Sequence, residues 1–349
     1  MDVKSCNKHL SITKPNRDSV IYKMHGDKNN PDEAILIKDD YESYYKKHKQ
    51  FLTALAGDLI SKTFLFVGFS FEDPNLDYIL SRIRVDYEEN PRQHYAIMKS
   101  INKSDYDNVA EYEYAKRRND FFLEDLKRYR IEALMIEDFA EITEILQEIE
   151  RRINLNNIFI SGSAEEYGQY SDKEADELIK LLSSRLIQEN YNIISGFGVG
   201  VGSSVIAGAL EEIYIHNKRI NSDRLLLRPF PQGTEAKALW QQYREDMISR
   251  AGISIFMFGN KKVNDNIVPA NGVKTEFDIA VKAKNIVIPV GCTGYMAKKL
   301  WDEVNANISY YYENANDEIK DIFNSLDSNI PNEKLVTNII RMIGLLRKS

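Results

Sequence analysis

The stretch 192–209, NIISGFGVGVGSSVIAGA, constrains what this chain can fold into more than any other. Ile193 and Ile194 read as the end of a buried strand. Gly196, Gly198, Gly200 and Gly202 follow, alternating with Phe197, Val199 and Val201, and then Ser203, Ser204 and small apolar residues at helical spacing. A strand, a glycine loop and a helix in that order let backbone N–H groups approach a phosphate closely. The helix N-terminus adds partial positive charge at the same point. No Lys-Ser or Lys-Thr pair follows the loop, so this is not a Walker motif. Nor does a convincing acidic residue stand about 20 residues on to hold a ribose. Taken alone, the pattern also describes a tight turn with a helix packed close to its sheet.

With 349 residues the chain can build two domains, each with its own core. Hydrophobic residues at 43% and charged residues at 28% place it among ordinary globular proteins. A net charge of -7 argues against a surface that coats nucleic acid. No run of 18 apolar residues marks a membrane span, and the first residues carry no apolar signal core. Two cysteines, Cys6 and Cys292, cannot supply a four-ligand zinc site, so no metal is expected. Their scarcity fits a reducing cytoplasm.

Along the chain, residues 1–19 are polar and carry no strand–glycine–helix unit. Residues 20–24 (VIYKM) read as a short strand ending at His25-Gly26, and residues 34–38 as another. A helix is expected from Asp39 and Asp40, one of them the N-cap, to about Ser61. Residues 63–70 (TFLFVGFS) form a near-continuous apolar run, as in a parallel strand buried on both faces. Gly68 and Ser70 sit at its carboxyl end, where open α/β sheets place ligands. Residues 154–157 (NLNN) form a polar break, and a fresh strand, 158–163 (IFISGS), opens a second α/β unit. The domains expected are therefore 1–154 and 155–349. Strand and helix alternate throughout, which predicts parallel sheets in both halves.

In the second half, several strand ends share one rim: Gly162-Ser163, the glycine loop, Lys261, and Thr275-Glu276. Arg244 arrives from a predicted helix over 234–251. Two cations beside helix N-termini suit a diphosphate, and Glu276 can accept from a ribose hydroxyl or a base. Each cation taken singly reads better as an ordinary surface ion pair; together with two glycine-bearing strand ends they favour a nucleotide site.

These segments, with 228–233 (RPFPQG) and 272–276 (GVKTE), resemble a SLOG domain, a Rossmann-like nucleotide sensor related to the LOG phosphoribohydrolases. The enzymes of that superfamily carry PGGxGTxxE. Here Asn271-Gly272-Val273-Lys274-Thr275-Glu276 lacks the double glycine and displaces the acid, so a binding role fits better than hydrolysis. In the first half, His25-Gly26 and residues 66–76 (FVGFSFEDPNL) resemble the later part of a SIR2-like domain. No zinc-binding cysteine quartet accompanies them, which argues against an acyl-lysine substrate.

SIR2 followed by SLOG resembles the NAD-depleting effectors of Thoeris anti-phage defence, of Bacillus type. The fold class implied is α/β, with two Rossmann-like parallel-sheet domains, the first of them incomplete. SIR2 domains open on a glycine-rich NAD-binding unit and an Asn that residues 1–19 do not supply, so the chain is expected to begin partway through that domain. The resemblance implies a cytoplasmic, homo-oligomeric NAD+ hydrolase without a prosthetic group. Its activator would be a cyclic ADP-ribose isomer made by a TIR-domain partner. It assigns His25 to catalysis, Gly68 and Ser70 to the NAD pocket, and Gly162, Ser163, Phe197, Gly198, Arg244, Lys261 and Glu276 to the signal nucleotide. The alternatives are a catalytically inactive sensor or scaffold, and a SLOG-type nucleotide hydrolase.

Overall fold

Apolar strands alternating with amphipathic helices resolve into parallel sheets in a computed structural model of the chain. It describes residues 2–12, 19–29, 31, 34–69, 71, 76–77, 79–81, 84, 92–216, 224–231, 233–313 and 315–347. The chain divides into two units, Met1–Ile145 and Leu146–Ser349. The helix Glu141–Asn154 runs through the division.

The first unit holds strands β1 (Asp2–Lys4), β2 (Val20–Tyr22), β3 (Leu65–Val67), β4 (His94–Lys99) and β5 (Ile131–Ile136). Strands β1 and β2 pair parallel, and β3, β4 and β5 form a separate three-stranded parallel sheet in that order. The helix Val109–Arg128 makes the crossover between β4 and β5. Tyr44, Leu52, Leu59, Ala96, Leu126 and Ile131 are buried together in its core.

Four expectations fail in this unit. Residues 34–37 form no strand, because the N–H groups of Leu36 and Ile37 donate to the Asp40 carboxylate at 3.2 and 3.3 Å. Asp40 thus closes the start of the helix Lys38–Lys47 from its third position rather than from the N-cap, which is Ile37. The long helix expected to Ser61 is two, Lys38–Lys47 and Lys49–Ser61, meeting at His48. Strand β3 is not buried on both faces. Among the described residues it pairs only with β4, and Leu65 and Val67 stay partly exposed while Phe66 packs on Phe69 and Phe71.

The second unit contains β6 (Asn157–Ser163), β7 (Asn192–Ser195), β8 (Leu225–Leu227), β9 (Ile253–Phe258), the hairpin β10 (Asn260–Val263) and β11 (Asn266–Pro269), and β12 (Ile286–Pro289). Five of them form one parallel sheet in the order β12–β9–β6–β7–β8. This is the doubly wound order, with the chain reversing direction across the sheet between β6 and β9. Every residue of β9 is buried, as expected of a strand covered by helices on both faces. The hairpin was not anticipated. Its turn places both Asn264 and Asp265 at positive φ, 47° and 63°, the geometry of a two-residue type I′ connection.

The helices Asp172–Gln188 and Gly202–His216 cross where Gly208 meets Lys180. A Cβ on Gly208 would lie 2.3 Å from the Lys180 carbonyl oxygen and 2.7 Å from its Cα. Gly344, in the helix Asn332–Leu346, has nothing within 4 Å of the same position. Alanine in place of a helical glycine removes about 0.5–1 kcal/mol of backbone cost, while overpacking costs about 1–3 kcal/mol. Urea unfolding is therefore expected to show opposite signs: Gly344→Ala raises the midpoint of the second unit and Gly208→Ala lowers it.

Candidate functional site

The helix Asn271–Lys282 turns Val273, Glu276, Phe277 and Ala280 toward the core, at the spacing of one helical face. Glu276 is therefore a carboxyl at an apolar position, and only 7% of it is exposed. The helix Trp240–Ser249 does the same with a cation, since Arg244 lies one turn before the buried Met247 and Ile248. The two charges meet: Arg244 Nε is 3.2 Å from Glu276 Oε1. The other carboxylate oxygen accepts from Ser161 Oγ, near the end of β6, at 2.6 Å. Burial raises the Glu276 carboxyl above the ordinary glutamate range, and Ser161 and Arg244 pull it partly back.

The Arg244 guanidinium also lies over the Phe230 ring, 5.0 Å from its centroid, and 5.8 Å from that of Trp240. Phe230 in turn presses on the glycine loop, where a Cβ on Gly196 would fall 2.8 Å from its ring edge. One series of contacts thus joins β6, both helices and the loop after β7.

The loop crosses the end of β6 at van der Waals limit. A Cβ on Gly198 would sit 2.0 Å from the Gly162 carbonyl oxygen, so only glycine permits this approach. The Ala164 N–H donates to the Val199 carbonyl at 2.8 Å, fixing the loop there. Phe197 holds φ at +57° and leaves its ring 48% exposed, which presents an aromatic face beside the rim. Ser163 Oγ donates to the Asn260 carbonyl at 2.9 Å. Lys261 is the second residue of β10, with an exposed side chain. Gly162, Ser163, Phe197, Gly198, Arg244, Lys261 and Glu276 all lie on elements meeting at the carboxyl ends of β6, β7 and β9. Ser161, Phe230, Trp240 and Asn260 join them. A serine set directly after the apolar run 158–160 was the available signal for Ser161. A cavity of about 410 Å³ opens at the opposite edge, lined by Asn157, Asn192, Ser249 and Arg250. Its asparagines are bonded to one another and to the Arg250 carbonyl, as expected of a structural seam.

In the first unit, His25 stands in the turn after β2, exposed, with its ring edge-on to Tyr41 and Tyr44 at 5.4 and 6.0 Å. Its carbonyl accepts from the Ile35 N–H, and the Tyr44 hydroxyl donates to the Met24 carbonyl at 2.9 Å. Gly68 follows β3 with φ of +64° and open space beside it. Ser70 lies outside the described residues, as do residues 72–75 of the same motif. His25 and Gly68 follow strands of different sheets, β2 and β3. His94 is a core histidine: its Nδ1 accepts from the Phe64 N–H at 3.1 Å, and burial lowers its pKa. Among the described residues no helix is long and apolar enough to cross a membrane, and no cluster of three or more His, Cys, Asp or Glu could hold a metal ion.

Residues 141–346 match the Sir2- and TIR-associating SLOG family, and residues 3–123 match the SIR2-like domain. The chain is 48% identical over 346 residues to the NAD(+) hydrolase ThsA of Bacillus cereus (strain MSX-D12), which spans 99% of this chain and 73% of that protein. It is 44% identical over 359 residues to the NAD(+) hydrolase ThsA of Cytobacillus dafuensis, spanning 99% and 72%. With the NAD(+) hydrolase ThsA of Acinetobacter baumannii (strain 532279) the identity is 42% over 356 residues, spanning 99% and 74%. Identity at this level over nearly the whole chain, with both domain types in the same order, is decisive: the chain belongs to the ThsA family, in which a SIR2-like domain precedes a Sir2- and TIR-associating SLOG domain.

Proposed function

We propose that this chain is an NAD+ hydrolase effector of anti-phage defence, switched on by a nucleotide bound to its second domain. The observation that carries the nucleotide site is the buried Arg244–Glu276 pair at the carboxyl rim of a doubly wound sheet. Four relatives named NAD(+) hydrolase ThsA, at 37–48% identity, support the reaction. The sensing domain begins at residue 155, and residues through 154 belong to the NAD-cleaving domain.

The activating ligand is a cyclic ADP-ribose isomer made by a TIR-domain partner. Among the described residues Arg244 is bonded through Nε alone, which leaves its two Nη groups for a diphosphate. Lys261 adds a second cation. Glu276 and Ser163 hold ribose hydroxyls, and Phe197, Gly198 and Gly162 supply an aromatic face and close backbone for the base. In the first domain, Gly68 and Ser70 line the NAD+ pocket. His25 takes the proton of a ribose hydroxyl or of the attacking water. Water adds to the anomeric carbon, the glycosidic bond breaks, nicotinamide leaves and ADP-ribose remains. The protein acts in the cytoplasm as a homo-oligomer and depletes NAD+. The ligand activates by binding one arrangement of the subunits better than another.

Arg244→Ala would leave Glu276 buried without its cation, so Arg244→Lys is the cleaner probe. It keeps the charge and loses the planar fork and the ring stacking. Calorimetry with a cyclic ADP-ribose isomer is expected to show affinity lower by about tenfold to a hundredfold; unchanged affinity would remove Arg244 from the site.

The raised pKa of Glu276 also sets a sign. The native domain binds this proton more readily than the unfolded chain does. The carboxyl therefore contributes stability below its unfolded pKa, and that contribution is lost as pH rises through the folded value. In Glu276→Gln, the thermal midpoint followed between about pH 4 and pH 7 should lose that downward component.

For the reaction itself, NAD+ consumption is expected to require the cyclic ADP-ribose isomer and to vanish in His25→Ala. Consumption that survives the substitution would exclude His25 from the chemistry.

A further inference from the structure

Strand β9 ends on two successive residues at positive φ, Phe258 at 55° and Gly259 at 87°, and the chain then turns into the hairpin β10–β11. A hairpin on such a joint could swing as a separate lid. Its first residue, Asn260, argues otherwise. It is 1% exposed, and its side chain is spent on the loop after β6 rather than on its own hairpin. Asn260 Oδ1 accepts from the N–H of Glu165 at 2.8 Å and of Glu166 at 3.4 Å, and Nδ2 donates to the Glu166 carbonyl at 2.8 Å. The backbone adds two ties: Ser163 Oγ donates to the Asn260 carbonyl, and the Gly259 N–H donates to the Ser163 carbonyl at 2.9 Å.

Only one orientation of the amide satisfies this surround, with its oxygen facing two N–H groups and its nitrogen facing a carbonyl. Aspartate could accept both N–H bonds but could not donate to Glu166. Leucine could do neither. The residue that needs both functions stands between two predicted ligand groups, Ser163 on one side and Lys261 on the other.

We propose that Asn260 is a positioning residue of the nucleotide site, locking Ser163 and Lys261 into one preformed face so that the hairpin does not move as an independent lid. The proposal rests on the reading of this rim as a nucleotide site. A face held before the ligand arrives costs no ordering on binding, which raises affinity without adding a contact.

The test uses the full chain with ADP-ribose and cyclic ADP-ribose as probes. Asn260→Asp keeps the size and loses the donor; Asn260→Ser guards against a variant that does not fold. Calorimetry is expected to show affinity lower by about tenfold to a hundredfold. The same substitution made on Lys261→Ala should add little, because Asn260 acts partly through Lys261; a general loss of structure would add in full. Hydrogen exchange without ligand should speed up together in residues 163–166 and 260–269. Wild-type affinity in both Asn260 variants, alongside weakened binding by Arg244→Lys, overturns this inference and leaves the nucleotide site standing. Full additivity with Lys261→Ala, or faster exchange in only one of the two segments, overturns it as well. Failure of the wild-type chain to bind either probe overturns the nucleotide reading and this inference with it.

Discussion

A carboxylate buried on the core face of a helix must be answered by other elements, and that requirement organises the second unit. Glu276 draws Arg244 from one helix and Ser161 from β6. A buried ion pair of this kind adds little net stability over a well-packed apolar substitute, yet removing one partner costs about 3–5 kcal/mol. Such a pair is hard to account for as a stabilising device alone. It is easier to account for as a way of holding a guanidinium at one place and angle. Arg244 is fixed by a carboxylate at Nε and by two aromatic rings across its face, so its remaining donors keep a constant direction.

The glycine loop answers a second constraint, that of space. Phe230 lies between Arg244 and Gly196, and Gly198 passes over the Gly162 carbonyl with no room for a Cβ. The loop therefore cannot shift without disturbing the arginine, and the arginine cannot shift without disturbing Glu276. Electrostatic and steric constraints close on the same few residues. That closure is the physical content of describing the rim as preorganised.

Much of this was legible in the sequence where periodicity and chemistry coincided. Continuous apolar runs located β6, β9 and β12, and alternating glycines located the loop. The residues singled out for the rim do lie on elements that meet there. What escaped was set by partners distant in sequence. Residues 34–37 are apolar and β-branched enough to read as a strand, but Asp40 takes their N–H groups. Strand β1 was invisible because two of its three residues are the charged Asp2 and Lys4, which pair with each other at 2.9 Å in a buried setting. The hairpin turn Asn264-Asp265 was readable as a type I′ signal and was missed for want of flanking apolar runs. Asn260 carried no sequence signal, since an asparagine after a strand is most often a turn residue.

Under the proposed function the two units place different demands on an account of signalling. The second has one continuous core that takes in the apolar residues of β9 and the buried face of the last helix. The first has shorter strands, with Leu65 and Val67 at an edge and His25 exposed in a turn. A ligand can bias an equilibrium only by its differential affinity for two states. If the rim is rigid in both states, ligand contacts inside it are equal in both and bias nothing. The difference must then lie where the bound nucleotide, or a surface it completes, meets something outside the rim. Phe197, 48% exposed on the positive-φ turn of the glycine loop, occupies such a position. In a sensor of the proposed kind, the buried pair would confer recognition, and the exposed lip of the loop is where recognition would be passed on.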